Sequence, residues 1–421
     1  MADRGTVATP FHPFLNPVIP MKRPFTTCRV TRSSFSFVPL RRGSIAVLSV
    51  FTLVCIITFV AFSLNISHLT NIKLDLQNRA DAVVKAGTWT LAEEYCSSKN
   101  ADLSRSAATA NSAALFESMA TSDSDRAVFD TQQDILFGFV TYDKTTSDWK
   151  FQHGKSPPNF VQLQLGHELD RANPVSVFLS SFLKKESMDA SVGAVAAYFP
   201  ATTFRMGPGS QGSSKTLPIL PIAVDLDSWV AMENGGYPDK YAYSSVSGKV
   251  SNGADGIPEL KIFPISDNPK ITPGNRATLA LGGSQNSTAK LQRQIVEGLN
   301  EADLAYHGGG FSVADGPIYL EGDPGISAAI EKGLQAIIGQ PRIIPIFTEV
   351  KGNGATSVYT IVRFVGIRVI AVDLRGSRTQ KHVIVQPAEM VIDDSTSNNK
   401  LPFGPTSLGT VFSPPTLTNI K

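Results

Sequence analysis

The stretch SIAVLSVFTLVCIITFVAFSL, residues 44–64, runs for 21 residues without a charged side chain. It stands directly behind Arg41-Arg42-Gly43 and is followed by an amphipathic stretch rather than a second apolar run. At about 1.5 Å per helical residue it reaches roughly the 30 Å of a bilayer's hydrocarbon core. The sequence therefore predicts a single transmembrane helix with one large domain on one side of it. Ahead of the run lie Arg4, Lys22, Arg23, Arg29, Arg32, Arg41 and Arg42 against one acid, Asp3. Because Lys and Arg are retained on the cytoplasmic side, the N-terminus is expected inside and residues 65–421 outside. A cleaved signal peptide is the competing reading. Its apolar core would span only about 7–15 residues before an A-x-A-like site, and Phe62-Ser63-Leu64-Asn65 offers none.

The formal charge of +2 hides an asymmetry. Without the basic tail, residues 43–421 carry 31 basic against 35 acidic residues, a charge of −4. A basic patch of the kind nucleic acid needs is absent from this composition, so no nucleic-acid partner is expected. Cys28 falls in the tail, Cys55 in the run and Cys96 beyond it. Only Cys96 would meet an oxidising compartment, which excludes an intramolecular disulfide framework. A bridge between chains through Cys96 and a buried, idle thiol both stay open. About 300 residues outside the bilayer suffice for a full core.

Residues 1–40 are rich in Pro, Thr, Ser and Arg and read as a disordered cytoplasmic tail. Beyond the run, Leu69, Ile72, Leu76, Arg79 and Val83 recur at spacings of 3 and 4, with no Pro or Gly before Gly87. The helix should continue to about Tyr95 as a stalk, so that residues 41–97 hold span and stalk together. Arg79 on the stripe argues against an isolated coiled coil and for packing on the chain's own domain.

Residues 98–395 are expected to form an exported α+β domain, rich in strands and with two or more helices. Its β-prone runs are 135–142, 160–165, 192–199, 219–226, 259–263, 277–281, 342–350, 357–374 and 382–391. The run 357–374 is too long for an ordinary strand, and Gly366 is the expected bulge or turn. One helix is predicted through Leu291, Ile295 and Leu299. A second carries Ile326, Ile330, Leu334 and Ile337, with Asp323 as N-cap, Pro324 first, and Gly339 and Pro341 closing it. Residues 396–421, rich in Ser, Asn, Thr and Pro, read as a flexible tail.

Arg41-Arg42-Gly43-Ser44-Ile45-Ala46-Val47, the apolar run, and Leu76-Gln77-Asn78-Arg79-Ala80-Asp81-Ala82 occur in the order of a known opening. The chain resembles the TadE/TadG-like proteins of the bacterial Flp (tight-adherence) pilus assembly system, with Arg79 in place of a usual Ala. Asp134-Ile135-Leu136-Phe137-Gly138, running on to Trp149, resembles a strand of that family's exported part. So does Ala172-Asn173-Pro174-Val175-Ser176-Val177, followed by 192–197. Gly339-Gln340-Pro341-Arg342-Ile343-Ile344-Pro345 resembles longer TadG-like proteins. The resemblance implies a single-pass protein of the bacterial inner membrane, with a periplasmic domain that contacts pilus-assembly or envelope proteins. It departs from pilin subunits, which carry a Glu at the fifth residue after the cleavage-site Gly; here that position is Leu48. This departure favours the TadG side.

Residue strings with chemical potential fail their context. His307-Gly308-Gly309-Gly310 copies a lipase oxyanion string, which needs a G-x-S-x-G elbow, and Gly325-Ile326-Ser327-Ala328-Ala329 lacks the final Gly. A turn after a helix ending near Tyr306 is expected instead. Asp393-Asp394-Ser395-Thr396-Ser397 contains the D-x-S-x-S string of von Willebrand A domains, which some TadG proteins carry. Only 24 residues follow it here, four of them proline, so a TadG type without that domain is expected. Taking Gly256 as position 6 of a calcium loop puts Ser251, Gly253 and Ile262 where acidic ligands are required, and a hairpin turn fits better. His153 and His167-Glu168 lack metal-ligand spacing, and no Gly-rich loop precedes a helix. No catalytic, cofactor or metal residue is therefore predicted, and the expected function is non-enzymatic. An alternative is a membrane-tethered envelope or glycan-binding module using the loops 234–239 and 252–256, with fold-level analogy as its warrant.

Overall fold

The computed structural model describes residues 42–119, 128–143, 145–171, 173–206, 215–262, 276–283, 287–323, 327–352, 357–376, 380–398 and 407–418. The chain is mixed α+β, with one long helix followed by a β-rich region. The expected cytoplasmic tail, residues 1–40, lies outside the described residues.

Helix α1 spans Arg42–Ser98. Two compact units divide within it, residues 1–57 and 58–421. In the first unit the described helix leaves Ile45, Val47, Leu48, Val50, Phe51, Leu53, Val54 and Ile56 exposed. It is long and apolar enough to cross a membrane. In the second unit the stripe changes from exposed to buried: Ala61, Leu76, Ala80, Val83, Val84, Leu91 and Ala92 are at most 1% exposed. Those from Leu76 to Ala92 pack with α2 (Ala101–Ser118) and one face of a β-sheet, so the stalk packs on the chain's own domain.

Helix α2 was not expected from the sequence. Asn100 starts it by accepting hydrogen bonds from the N–H groups of Asp102 and Leu103, and its buried face is Ser104, Ala108, Ser112 and Phe116. It lies against α1, where Asn111 Nδ2 donates to Thr90 Oγ1 at 2.6 Å.

The first sheet is antiparallel throughout. Its spatial order is Asp148–His153, Ile135–Asp143, Phe160–His167, Ala190–Ala197 and Thr416–Leu417. Alternation divides its faces: Ala194 and Ala196 meet the helices, while Val195 and Ala197 join Val140, Phe160 and Phe199 on the far side.

The second sheet closes on itself. The strand Ser357–Asp373 pairs with Ile318–Asp323, which leads through Arg276–Leu279 and Ile222–Asp225 to Pro341–Lys351 and back to Ser357–Asp373. Both faces are buried. Ile222, Val224, Ile344 and Ile346 face a core with the helices Leu226–Glu233, Thr288–Glu297 and Glu331–Ala336. Ala223, Ile343 and Phe347 face another.

Several expectations change in detail. The long run 357–374 is one 17-residue strand, not two. Its first residues pair with Ile318–Asp323 and its last with His382–Pro387, so successive partners satisfy its backbone. The irregularities fall at Ile346/Phe347, Phe347/Glu349 and Val369/Ala371, away from Gly366.

The expected helix at 323 begins later. Asp323 ends a strand paired with Thr278. Ser327 caps a short turn, Ala328–Ile330, that leads into Glu331–Ala336. Pro324 and Ile326 lie outside the described residues. In the other predicted helix, Leu291 and Ile295 are buried as expected, but Leu299 follows the C-cap and bonds to Leu217. The strand 219–226 shortens to Ile222–Asp225, because Asp225 caps the next helix.

The flexible tail expected at 396–421 does not hold for its described part. Val411–Phe412 pairs with Met390–Val391, Thr416–Leu417 edges the first sheet, and Val411, Phe412 and Ser413 are buried. Apolar Val411 and Phe412 enter two cores despite their polar neighbours.

Candidate functional site

The resemblance-bearing string Leu76–Ala82 sits where α1 meets the first sheet. Leu76 and Ala80 supply the contact. Gln77 Nε2 donates to Asp81 Oδ1 at 2.7 Å and to the Gly193 carbonyl at 3.4 Å, so one side chain links helix and sheet. Asn78 is exposed, while Asp81 is half-buried. Arg79 is 9% exposed on the packed stripe, and its guanidinium reaches back one turn to Asp75 at 2.7 Å. That pairing gives the buried cation a countercharge on a more exposed carboxylate, Asp75.

The second resemblance-bearing string opens the sheet's second strand. Asp134 is 2% exposed and receives both guanidinium nitrogens of Arg171, at 2.6 and 2.7 Å. It also accepts the Asp130 N–H at 2.7 Å. The accepting Asp134 carboxylate raises the already high proton affinity of Arg171. Gly138 lies so close to the neighbouring strand that a Cβ would fall 2.3 Å from the Gln152 carbonyl oxygen. Asn173 Oδ1 accepts a hydrogen bond from His167 Nδ1 at 2.9 Å, and Val175–Ser176 is a two-residue strand paired with Ser187–Met188.

Asn159, which the sequence did not single out, is fully buried and clamps Val140. Its Oδ1 accepts the Val140 N–H at 2.7 Å and its Nδ2 donates to the Val140 carbonyl at 3.0 Å. No periodic signal marks such a residue. The same two-bond clamp joins Asn65 to Phe178. Asn65 could have been noticed as the first residue past the apolar run.

At the end of α1, burial pushes the Cys96 thiol up to about 12, so little thiolate exists near neutrality. Lys99 forms an ion pair with Glu389, tying this end to a segment late in the chain.

The strings considered for chemistry are engaged in backbone structure. His307 Nε2 lies 3.3 Å from the Ala280 carbonyl, and burial lowers its proton affinity. Gly308 and Gly309 form the turn after Glu301–Ala305, and Gly310 begins a strand. Ser327 accepts the Ala329 N–H at 3.2 Å. Ser395 donates to the Ile392 carbonyl at 2.8 Å, and Ser395–Thr396 pairs with Thr203–Arg205. His153 Nε2 faces Gln162 Oε1 at 2.8 Å.

The two loops considered for ligand binding do meet. Asp239 accepts the N–H groups of Asp255 and Gly256 at 3.1 and 2.7 Å, and Asp255 bonds Tyr243, Ile257 and Gln386. Glu259 accepts those of Lys240 and Tyr241, while burial raises its proton affinity. These carboxylates thus staple the turns. Among the described residues no group of three or more His, Cys, Asp or Glu is placed to hold a metal ion. An open cavity of about 230 Å³ is lined by Thr202, Val313, Arg363, Phe364, Ser407 and Thr410. Arg363 in it is held by Glu233 at 3.3 Å and Ser407 at 3.4 Å.

No protein-family model, curated protein or solved structure matches this chain.

Proposed function

We propose that this chain is a non-enzymatic, single-pass component of a Flp/Tad-type pilus assembly or secretion system in the bacterial inner membrane. Residues 44–64 cross the bilayer, the basic tail stays in the cytoplasm, and residues 65–421 stand in the periplasm. There the domain contacts other pilus-assembly or envelope proteins.

The observation that carries this reading is the division of labour along α1. Its apolar side chains are exposed from Ile45 to Ile56, where water would oppose them, and the stalk from Leu76 to Ala92 is buried on the domain. A lipid-facing segment followed along the chain by a domain-packed stalk suits a protein that holds an assembly close to the membrane. The resemblance of the Arg41–Val47 and Leu76–Ala82 strings supplies the system.

Cross-linking in intact cells, followed by purification from membranes, should recover pilus or secretion components. A partner-free protein, together with normal pilus assembly in a deletion strain, would overturn the proposal. A tethered glycan-binding module is the second reading. The convergence of the 234–239 and 252–256 loops favours it, and a sacculus pull-down with the detergent-solubilised chain tests it.

A further inference from the structure

We infer that the hairpin loop 177–186 is a membrane-surface element whose tip, Phe178 to Leu183, enters the headgroup layer of the bilayer. The inference rests on reading residues 44–64 as the membrane span and adds a second lipid contact to it.

The position of the loop carries the argument. Asn65 is the first residue past the apolar run, and it is 5% exposed. Its Nδ2 donates to the Phe178 carbonyl at 2.9 Å and its Oδ1 accepts the Phe178 N–H at 2.7 Å. The His68 ring meets the Phe178 ring edge-on, with centroids 4.9 Å apart. Phe178 is thereby fixed within one helical turn of the point where α1 would leave lipid. Ala61, four residues inside the run, is already fully buried.

Composition then identifies what the tip meets. The loop reads VFLSSFLKKE from Val177 to Glu186. Phe178 and Leu179 stay 51% and 45% exposed, an arrangement that water disfavours and a headgroup–acyl boundary favours. Lys184 and Lys185, both exposed, follow at once and suit anionic headgroups, with Glu186 and the half-buried His68 as the other titratable groups around the tip. The loop is also held in shape. Val177 N–H donates to the Glu186 carbonyl at 3.0 Å, and the strands Val175–Ser176 and Ser187–Met188 close its base. Leu179 and Lys184 take left-handed conformations, φ 55° and 52°, on either side of the helical turn Ser180–Leu183. A defined turn that presents apolar residues within one helical turn of Asn65 is the geometry of an interfacial wedge.

The test uses the full chain, with its three cysteines replaced by serine, in vesicles of phosphatidylcholine and phosphatidylglycerol. Nitroxide labels are placed singly at Leu179→Cys, Ser181→Cys, Val246→Cys and Phe51→Cys. Ser181→Cys leaves Phe178 and Leu179 intact, and Val246 is 98% exposed on another hairpin. Labels at 179 and 181 should favour oxygen over a water-soluble nickel chelate several-fold more than the label at 246, though less than the label at 51. If 179 and 181 match 246 while 51 reports lipid, the loop is in water and the inference falls, leaving the span intact. Shielding of 179 and 181 from both reagents would mean a protein surface covers the tip, and also overturns it. Water exposure at 51 as well would remove the span and the inference together.

Discussion

Gly366 in the 17-residue strand lies against the carbonyl of Ala388 so closely that a Cβ would sit 2.1 Å from that oxygen. The two residues are also bonded, Ala388 N–H to the Gly366 carbonyl at 3.0 Å, and Gly366 N–H donates to the Gly409 carbonyl at 2.6 Å. Three segments distant in sequence thus converge on one residue without a side chain. Backbone cannot yield as a side chain end can, so Gly366→Ala should destabilise the domain by about 1–3 kcal/mol, the cost of overpacking. A lowered thermal midpoint of the detergent-solubilised protein checks this, and an unchanged midpoint would refute the close approach.

The Asp134–Arg171 pair gives a sharper test. Arg171→Met leaves a carboxylate of 2% exposure without its cation and should cost about 3 kcal/mol, the low end for a broken buried pair because Arg171 retains some solvent contact. Adding Asp134→Asn should recover part of that loss, since the uncompensated charge is gone. The four corners of this cycle, measured by denaturant unfolding, must show strong non-additivity.

Asp225 predicts a pH dependence. One oxygen accepts the Ser228 N–H at 2.9 Å as a helix cap, while Oδ2 is buried without a hydrogen-bond partner among the described residues. Burial, with Asp227 nearby, raises its affinity for a proton above the ordinary 3.8. The folded state therefore holds this proton more tightly than the unfolded one. Its contribution to stability is greatest below 3.8 and declines as pH rises through the raised folded value. Asp225→Asn keeps the cap and cannot ionise, so its stability relative to the parent should improve from pH 4 to pH 7. Asp225→Ala should instead lose about 1 kcal/mol of capping. Urea midpoints at the two pH values distinguish these outcomes.

Topology is tested independently of any partner. A reporter that fluoresces only in the cytoplasm, fused after Lys421, should be dark, and protease added to spheroplasts should spare only a small fragment containing residues 1–64. Arg41→Glu with Arg42→Glu should weaken this arrangement by removing the two cations next to the run, although Arg29 and Arg32 still favour it. A bright reporter on the unmodified chain would overturn the orientation and the pilus-assembly proposal with it.

What the sequence by itself determined was set by local, periodic physics. The uncharged run 44–64 and the 3–4 stripe through Leu76 and Val83 dictated the long helix, because helical periodicity needs no distant partner. Alternating β-prone residues located most strands of the two main sheets, and Leu291 with Ile295 marked a buried helical face. Only the tertiary structure decided the rest, since it depended on which distant backbones approached each other. Asp323 is spent on strand pairing rather than capping, and Gly366 answers to Ala388 and Gly409 rather than to a bend in its own strand. Asn65 and Phe178, 113 residues apart, became partners only when the hairpin folded back on α1. Hydrogen bonds from isolated polar side chains leave no period in a sequence, so pairings of that kind become visible only in the folded chain.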